Sequence, residues 1–223
     1  KLSANMVLTK EPAGFLDEAC QDLQQVAALK WLALQLVDSD DRLDELKGRL
    51  IVAGDPPCDR ARLGEVAGEL LGGLGDDRGP RICEHGRHTG VPGLGELSDR
   101  MLIVPLIRED EPLGMLIGAD KIDDTELSSV DSKLANSLAQ NICIFLENAM
   151  LYEDMQDMFM GTLHALISSI DAKDTYTCGH SERVALLSRQ LALAAGIDEE
   201  TAERIYLAGL VDRKSTRLNS SHY

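Results

Sequence analysis

Aromatic residues are scarce in this chain, 4% of 223. Any core must therefore be built from Leu, Ile, Val, Ala and Met. Basic residues are outnumbered, 22 Lys and Arg against 38 Asp and Glu, which leaves a formal net charge of −16. A surface of that sign repels phosphate backbones and anionic bilayers, so neither nucleic acid nor a membrane surface is expected as a direct partner. No run of apolar residues is long enough to span a bilayer. Residues 1–14 lack the apolar stretch of a signal peptide. They begin without Met, so the chain is expected to be cut from something longer. Paired cysteine spacing is missing too: Cys20, Cys58, Cys83, Cys143 and Cys178 are dispersed, with no C-x-x-C. An odd, scattered set implies reduced thiols and a cytoplasmic setting.

What the chain does have is 44% hydrophobic residues, enough for a globular core. Phe15, Ala19, Leu23, Val26 and Leu29 recur at helical spacing, which predicts an amphipathic helix over 15–29. Lys30 to Val37 is a short apolar run that predicts a strand, broken by Asp38-Ser39-Asp40-Asp41. Arg49 to Ala53 predicts a second strand, closed by the turn signal Gly54-Asp55-Pro56-Pro57. A helical pattern follows over 61–74 and stops in glycines. Gly72-Gly73-Leu74-Gly75 lacks the Gly-Lys-Ser/Thr of a phosphate loop and reads as a helix stop. Within the Gly- and Pro-rich stretch 79–99, Ile82-Cys83 is a short strand candidate. Cys83, His85 and His88 match no zinc pattern with a second half. The apolar runs 101–107 and 113–119 flank a polar turn, Arg108 to Pro112, and predict a β-hairpin.

Then comes a pattern of unusual length. Leu127, Val130, Leu134, Leu138, Ile142 and Phe145 begin a series in steps of three and four that continues to Ile170. No proline interrupts it, and only Gly161 weakens it. At ~1.5 Å rise per residue this predicts a rod of roughly 65 Å. A stripe that long outruns one small domain, so it is expected to pair with a second copy as a coiled coil, giving a homodimer.

Several of these segments resemble a GAF domain: Val104-Pro105-Leu106, Pro112 to Leu116, Leu134 to Ile142, and Glu147 to Tyr152. The resemblance runs from about Pro12 to Tyr152. It implies an antiparallel sheet with helices packed on one side, serving as a sensor or dimerisation unit for a small molecule. The cyclic-nucleotide-binding members carry an Asn-Lys…Phe…Asp-Glu set. Ala119-Asp120-Lys121-Ile122-Asp123-Asp124 keeps the Lys but neither the Asn nor the Phe, so the ligand stays unassigned.

Beyond the long stripe lies a polar elbow, Asp171 to His180. After it, Val184, Leu187, Leu191 and Ala195 predict a new helix with an apolar face. The elbow thus sets His180 and Arg183 one turn apart near a helix start. Backbone N–H groups there favour anions, and an adjacent Arg adds a two-pronged donor for phosphate.

Asp171-Ala172-Lys173-Asp174-Thr175-Tyr176-Thr177-Cys178-Gly179-His180-Ser181-Glu182-Arg183-Val184 closely resembles the opening of the HD-GYP domain, a family of cyclic-di-GMP phosphodiesterases. The resemblance implies a metal-site role for His180, against the plainer reading of a polar residue at a helix start. It implies a substrate-phosphate contact for Arg183, against pairing with Glu182. Lys173, Asp174 and Gly179 would shape the elbow, with Asp174 capping the next turn. The family binds divalent metal, Fe or Mn, through a His-Asp pair that should follow Val211. Tyr176 stands where members with a third metal carry Glu, so a two-metal parent is implied. Here Arg213 to Tyr223 is polar and basic and departs from the pattern; it reads as foreign sequence joined at a break, the alternative being a natural degenerate protein. His164 is followed by Ala165-Leu166-Ile167, which does not fit the phospho-acceptor of a histidine kinase.

The expectation is therefore an α+β chain: a GAF-like sensor core over 12–126, a connector helix over 127–160, an all-α fragment of an HD-type domain over 161–211, and an unrelated tail over 212–223. It would be the regulatory part of a bacterial cyclic-di-GMP phosphodiesterase, itself inactive because the His-Asp pair is missing. The alternative is a small-molecule-sensing dimerisation module of another signalling protein.

Overall fold

The computed structural model describes residues 12–38, 41–73, 78–84, 97–171 and 180–211. The chain divides into two compact units, Lys1–Asp154 and Met155–Tyr223.

The first unit is an antiparallel sheet flanked by helices. Its strands are β1 (Leu29–Leu36), β2 (Leu50–Gly54), β3 (Arg81–Glu84), β4 (Arg100–Arg108) and β5 (Glu111–Lys121), in the spatial order β2-β1-β5-β4-β3. Every neighbouring pair is antiparallel. The hairpin between β4 and β5 turns on Glu109 and Asp110, whose φ values of 46° and 85° lie in the left-handed region that a two-residue connection favours. The ladder between β3 and β4 runs only from Arg100 to Ile103. Pro105, which has no N–H to give, therefore sits where β4 needs no partner on that side.

The strands read as near-continuous apolar runs because both sheet faces are covered. Leu32, Leu34, Val104 and Leu116 face a core shared with helix α1 (Pro12–Val26) and the first half of the long helix. Trp31, Ala33, Ile103 and Ile117 face the opposite way, against Leu63, Val66 and Leu70 of helix α2 (Arg60–Gly72). The expected packing of helices on one side is thus corrected: α2 closes the second face. The predicted α+β class and antiparallel sheet are what the structure shows.

Helix α1 ends earlier than its apolar spacing suggests. Ala28 turns the chain with φ 50°, Val26 is exposed, and Leu29 already belongs to β1. The buried side is Leu16, Ala19, Cys20 and Leu23. Within the pattern Val26 loses burial, whereas Leu29 keeps it as part of β1 rather than of the helix.

Helix α3 (Ser129–Asp171) is the long helix, 43 residues without a break. Its apolar stripe is not one face. Leu138, Ile142 and Phe145 are buried on the sheet, with Phe15 stacked on Phe145 at 4.3 Å. Val130, Leu134, Tyr152, Met155, Phe159 and Leu166 of the same series are exposed. Steps of three and four can wander around a helix, and here they cross from the core to the solvent side.

The second unit contains the end of α3, helix α4 (His180–Ala194) and helix α5 (Glu199–Val211). Asp198 caps α5, accepting from the Thr201 backbone N–H and hydroxyl, both at 2.9 Å. The buried side of α4 carries Ala185 and Ala192, while Val184, Leu187 and Leu191 are exposed. The apolar face predicted for this helix points away from its partner. The reason is steric: Gly209 of α5 lies so close that an added Cβ would come within 2.9 Å of the Ala185 Cα. Only small residues fit such a crossing.

Candidate functional site

Helix α4 begins at His180, as the elbow spacing predicts. Arg183 lies in its first turn and is exposed. Lys173, Asp174 and Gly179 fall outside the described residues, as does the imidazole of His180. Their proposed roles in metal binding, phosphate contact and elbow shape rest on sequence alone.

Several described polar groups of this helical unit are engaged with one another. Tyr206 Oη on α5 lies 3.4 Å from His164 Nε2 on α3, with the two rings tilted at 46°. Burial raises the Tyr206 hydroxyl above its ordinary value, and Glu182 and Glu203 add to the rise. Arg189 of α4 spans to α5, donating from Nε to Glu203 Oε2 at 2.8 Å and from Nη2 to Glu199. Among the described residues, no group of three His, Cys, Asp or Glu side chains is arranged to hold a metal.

In the sheet unit, the described thiols are held protonated. Burial pushes Cys20 up to about 12 and Cys143 up to about 11, and it raises Cys58 and Cys83 as well. A thiol in that state is neither a nucleophile nor a ready metal ligand. All four are free, and Cys178 lies outside the described residues. So do His85 and His88.

Lys121, kept from the cyclic-nucleotide pattern, is committed elsewhere. Its ammonium lies 2.7 Å from Asp131 Oδ1, and the Asp131 side chain is only 4% exposed. The other Asp131 oxygen accepts from the Ser128 backbone N–H at 2.8 Å and from the Ser128 hydroxyl at 2.7 Å. The Ser128 hydroxyl oxygen in turn accepts from the Val130 N–H at 3.2 Å. This reciprocal cap opens α3. Burial alone would raise the Asp131 carboxyl; the Lys121 and Ser128 hydrogen bonds outweigh it and hold the group below the ordinary carboxylate value. Sequence reasoning passed over this cluster, though Ser-x-x-Asp before an apolar run was the available signal. Nearby, Asp120 accepts from the Arg100 N–H at 3.1 Å and from the Ser98 hydroxyl.

A cleft of about 30 Å³ lies among Leu36, Leu43, Leu46, Leu113, Leu146 and Met150. That is room for about one water molecule, not for a metabolite. No helix of the described residues is long and apolar enough to cross a membrane.

Three comparisons set the chain beside known proteins. No protein-family model matches it. The 3'3'-cGAMP-specific phosphodiesterase 2 of Vibrio cholerae is 32% identical over 82 residues, covering 37% of this chain and 16% of that protein. The chain therefore spans about a sixth of the length of this relative. Similar solved structures include a free methionine-R-sulfoxide reductase from Neisseria meningitidis in complex with its substrate, with TM-score 0.49 and 18% identity, covering 68% of this chain and 87% of that one. The GAF domain of a phosphoenolpyruvate-protein phosphotransferase from Coxiella burnetii has TM-score 0.49 and 17% identity, covering 68% and 91%. A GAF domain/HD domain protein from Geobacter sulfurreducens has TM-score 0.43 and 16% identity, covering 65% and 97%. At such scores and identities the structural likenesses say nothing about function.

Proposed function

We propose that this chain is the sensing and dimerising part of a bacterial cyclic-dinucleotide phosphodiesterase, joined to the opening of its catalytic domain and without hydrolytic activity of its own. The observation that carries the reading is the segment Asp171 to Val184, whose wording matches the start of an HD-GYP domain. A helix beginning at His180 is consistent with it. The local identity with a phosphodiesterase acting on a cyclic dinucleotide supports the same direction.

In this reading the sheet unit takes a small molecule, and α3 pairs with a second copy and passes the signal on. In the full-length parent, His180 serves the metal site and Arg183 meets a phosphate of cyclic-di-GMP. A bound Fe or Mn pair would supply an activated water for attack on the phosphodiester. Among the residues of this chain, Arg183 would offer paired N–H donors to the phosphate oxygens.

The purified 223-residue chain, incubated with cyclic-di-GMP and Mn or Fe, should show no turnover. Hydrolysis above background overturns the claim of inactivity. The genomic reading frame past codon 211 tests the parentage. A His-Asp-x-Gly-Lys sequence there supports it, and a kinase or phosphatase domain shifts the reading to another class of signalling protein.

A further inference from the structure

One methionine of the sheet unit has both a way in for a small molecule and a cation against its sulfur. Met150 on α3 is only 4% exposed, yet it forms part of the wall of the open cleft among Leu36, Leu43, Leu46 and Leu113. Room for about one water is also nearly room for hydrogen peroxide, which is little larger. Arg108, the last residue of β4, meets the same side chain: its Nη1 donates to Met150 Sδ at 3.7 Å.

That guanidinium is short of acceptors. A thioether sulfur is a weak one. The Arg108 Nε lies 3.4 Å from Glu147 Oε1, close enough for attraction, but it is buried and makes no hydrogen bond. A buried N–H left in this state costs stability. An oxygen added to the Met150 sulfur would fall within reach of the guanidinium, and a charged donor makes such a bond a strong one.

We infer that Met150 is an oxidation site for hydrogen peroxide and similar two-electron oxygen donors, and that Arg108 holds the resulting sulfoxide. A sulfur lone pair attacks one peroxide oxygen and the O–O bond breaks. The sulfur keeps that oxygen and is oxidised by two electrons. The proton on the transferred oxygen passes to the departing hydroxide, which leaves as water. The product is polar where the thioether was apolar, and sulfoxide reductases can reverse it.

Four other methionines show what is particular here. Met101 and Met115 are 1% exposed, in the apolar core against α2. A sulfoxide there would bury a polar group among hydrocarbon. Met155 and Met158 are 58% and 72% exposed, so their sulfoxide oxygens would turn to water. Among the described residues, Met150 joins a cleft to a side-chain donor at the sulfur. Its oxidation changes how α3 is fastened. Leu146 and Met150 are the α3 side chains that close the cleft over Leu113 and the short helical turn Asp41–Leu46. The sulfoxide exchanges part of that apolar seal for a polar tie to β4. The inference stands apart from the phosphodiesterase reading and does not need it.

The test treats the folded 223-residue chain with hydrogen peroxide and follows each methionine by peptide mass spectrometry. Met155 and Met158 should react first. Met150 should follow, about tenfold faster than Met101 and Met115, because the cleft spares it the wait for unfolding. If Met150 reacts no faster than those two, the site does not exist. The role of Arg108 is read from the urea midpoint of Trp31 before and after oxidation. Met150→Leu sets the shift due to all other groups. Beyond that shift, the fall should be about twofold larger in Arg108→Gln than in the wild type. An equal fall in the two would overturn the assignment of Arg108, and the oxidation rates in the wild type decide the site itself even if that variant folds poorly.

Discussion

The two units of this chain use the same kinds of residue to opposite effect. In the sheet unit, apolar side chains go inward on both sheet faces, and two separate cores fill. In the helical unit, the buried cluster is Ala185, Tyr206 and Leu210, with Met160, Leu163 and Leu207 against it. There the larger aliphatics of α4 stay in solvent. A sheet with helices on both faces encloses its own volume, whereas a helix pair closed through alanine and glycine leaves its wide faces uncovered. The sheet unit therefore draws its stability from burial. The helical unit buries less and adds surface ties from Arg189 to Glu199 and Glu203.

This contrast can be broken experimentally, because the single tryptophan, Trp31, is buried in the sheet unit. Its fluorescence follows that unit, while far-UV ellipticity also follows the helices. The largest effect is expected from Leu116→Ala. That side chain is 1% exposed, and its truncation should cost about 3–4 kcal/mol, lowering the urea midpoint seen by Trp31. If the loss is below about 1 kcal/mol, the claim of a tightly filled core fails.

Next comes Asp131→Ala, at about 3 kcal/mol, because it leaves Lys121 unpaired in a half-buried place and uncaps α3. The pH dependence has a definite sign. A carboxyl held below its ordinary value adds stability that is fully present above about pH 4, the unfolded-state value, and is lost as pH falls through the folded-state value. The gap between wild type and variant should therefore shrink in acid. A gap that widens below pH 4 would contradict the assignment.

Smaller again is Gly209→Ala, about 1–2 kcal/mol, since the new Cβ meets the Ala185 backbone. It should move the ellipticity transition and leave Trp31 fluorescence alone. If both probes shift together, the two units do not unfold independently. The smallest effect has the opposite sign. Gly161 on α3 has nothing within 4 Å of an added Cβ, so Gly161→Ala should stabilise the helix by up to about 1 kcal/mol, read as increased ellipticity on heating.

Much of the framework was legible before any coordinates. The two apolar runs around Arg108 to Pro112 could only be a hairpin, and the uninterrupted stretch after Leu127 could only be a long helix. The start of α4 at His180 followed from the change of pattern at the elbow. The site was less legible. Arg183 is placed in the first turn of α4, but Lys173, Asp174 and Gly179 lie outside the described residues. The Lys121–Asp131 pair joins the end of a strand to the start of a helix across ten positions. A period cannot reveal such a pair, although the Ser128 cap could have hinted at it.

By itself, then, the order of residues determined the kinds of element, their succession and the points where one gives way to the next. Those depend on local backbone preferences and on the spacing of apolar side chains. Only the tertiary structure decided which side of each element is buried. Helix α3 has hydrocarbon on two sides, and the sheet claims one of them. Helix α4 offers a leucine face and an alanine face, and the close approach of Gly209 selects the alanines. Burial is a property of the neighbour as much as of the residue, and the neighbour is known only when the chain has folded.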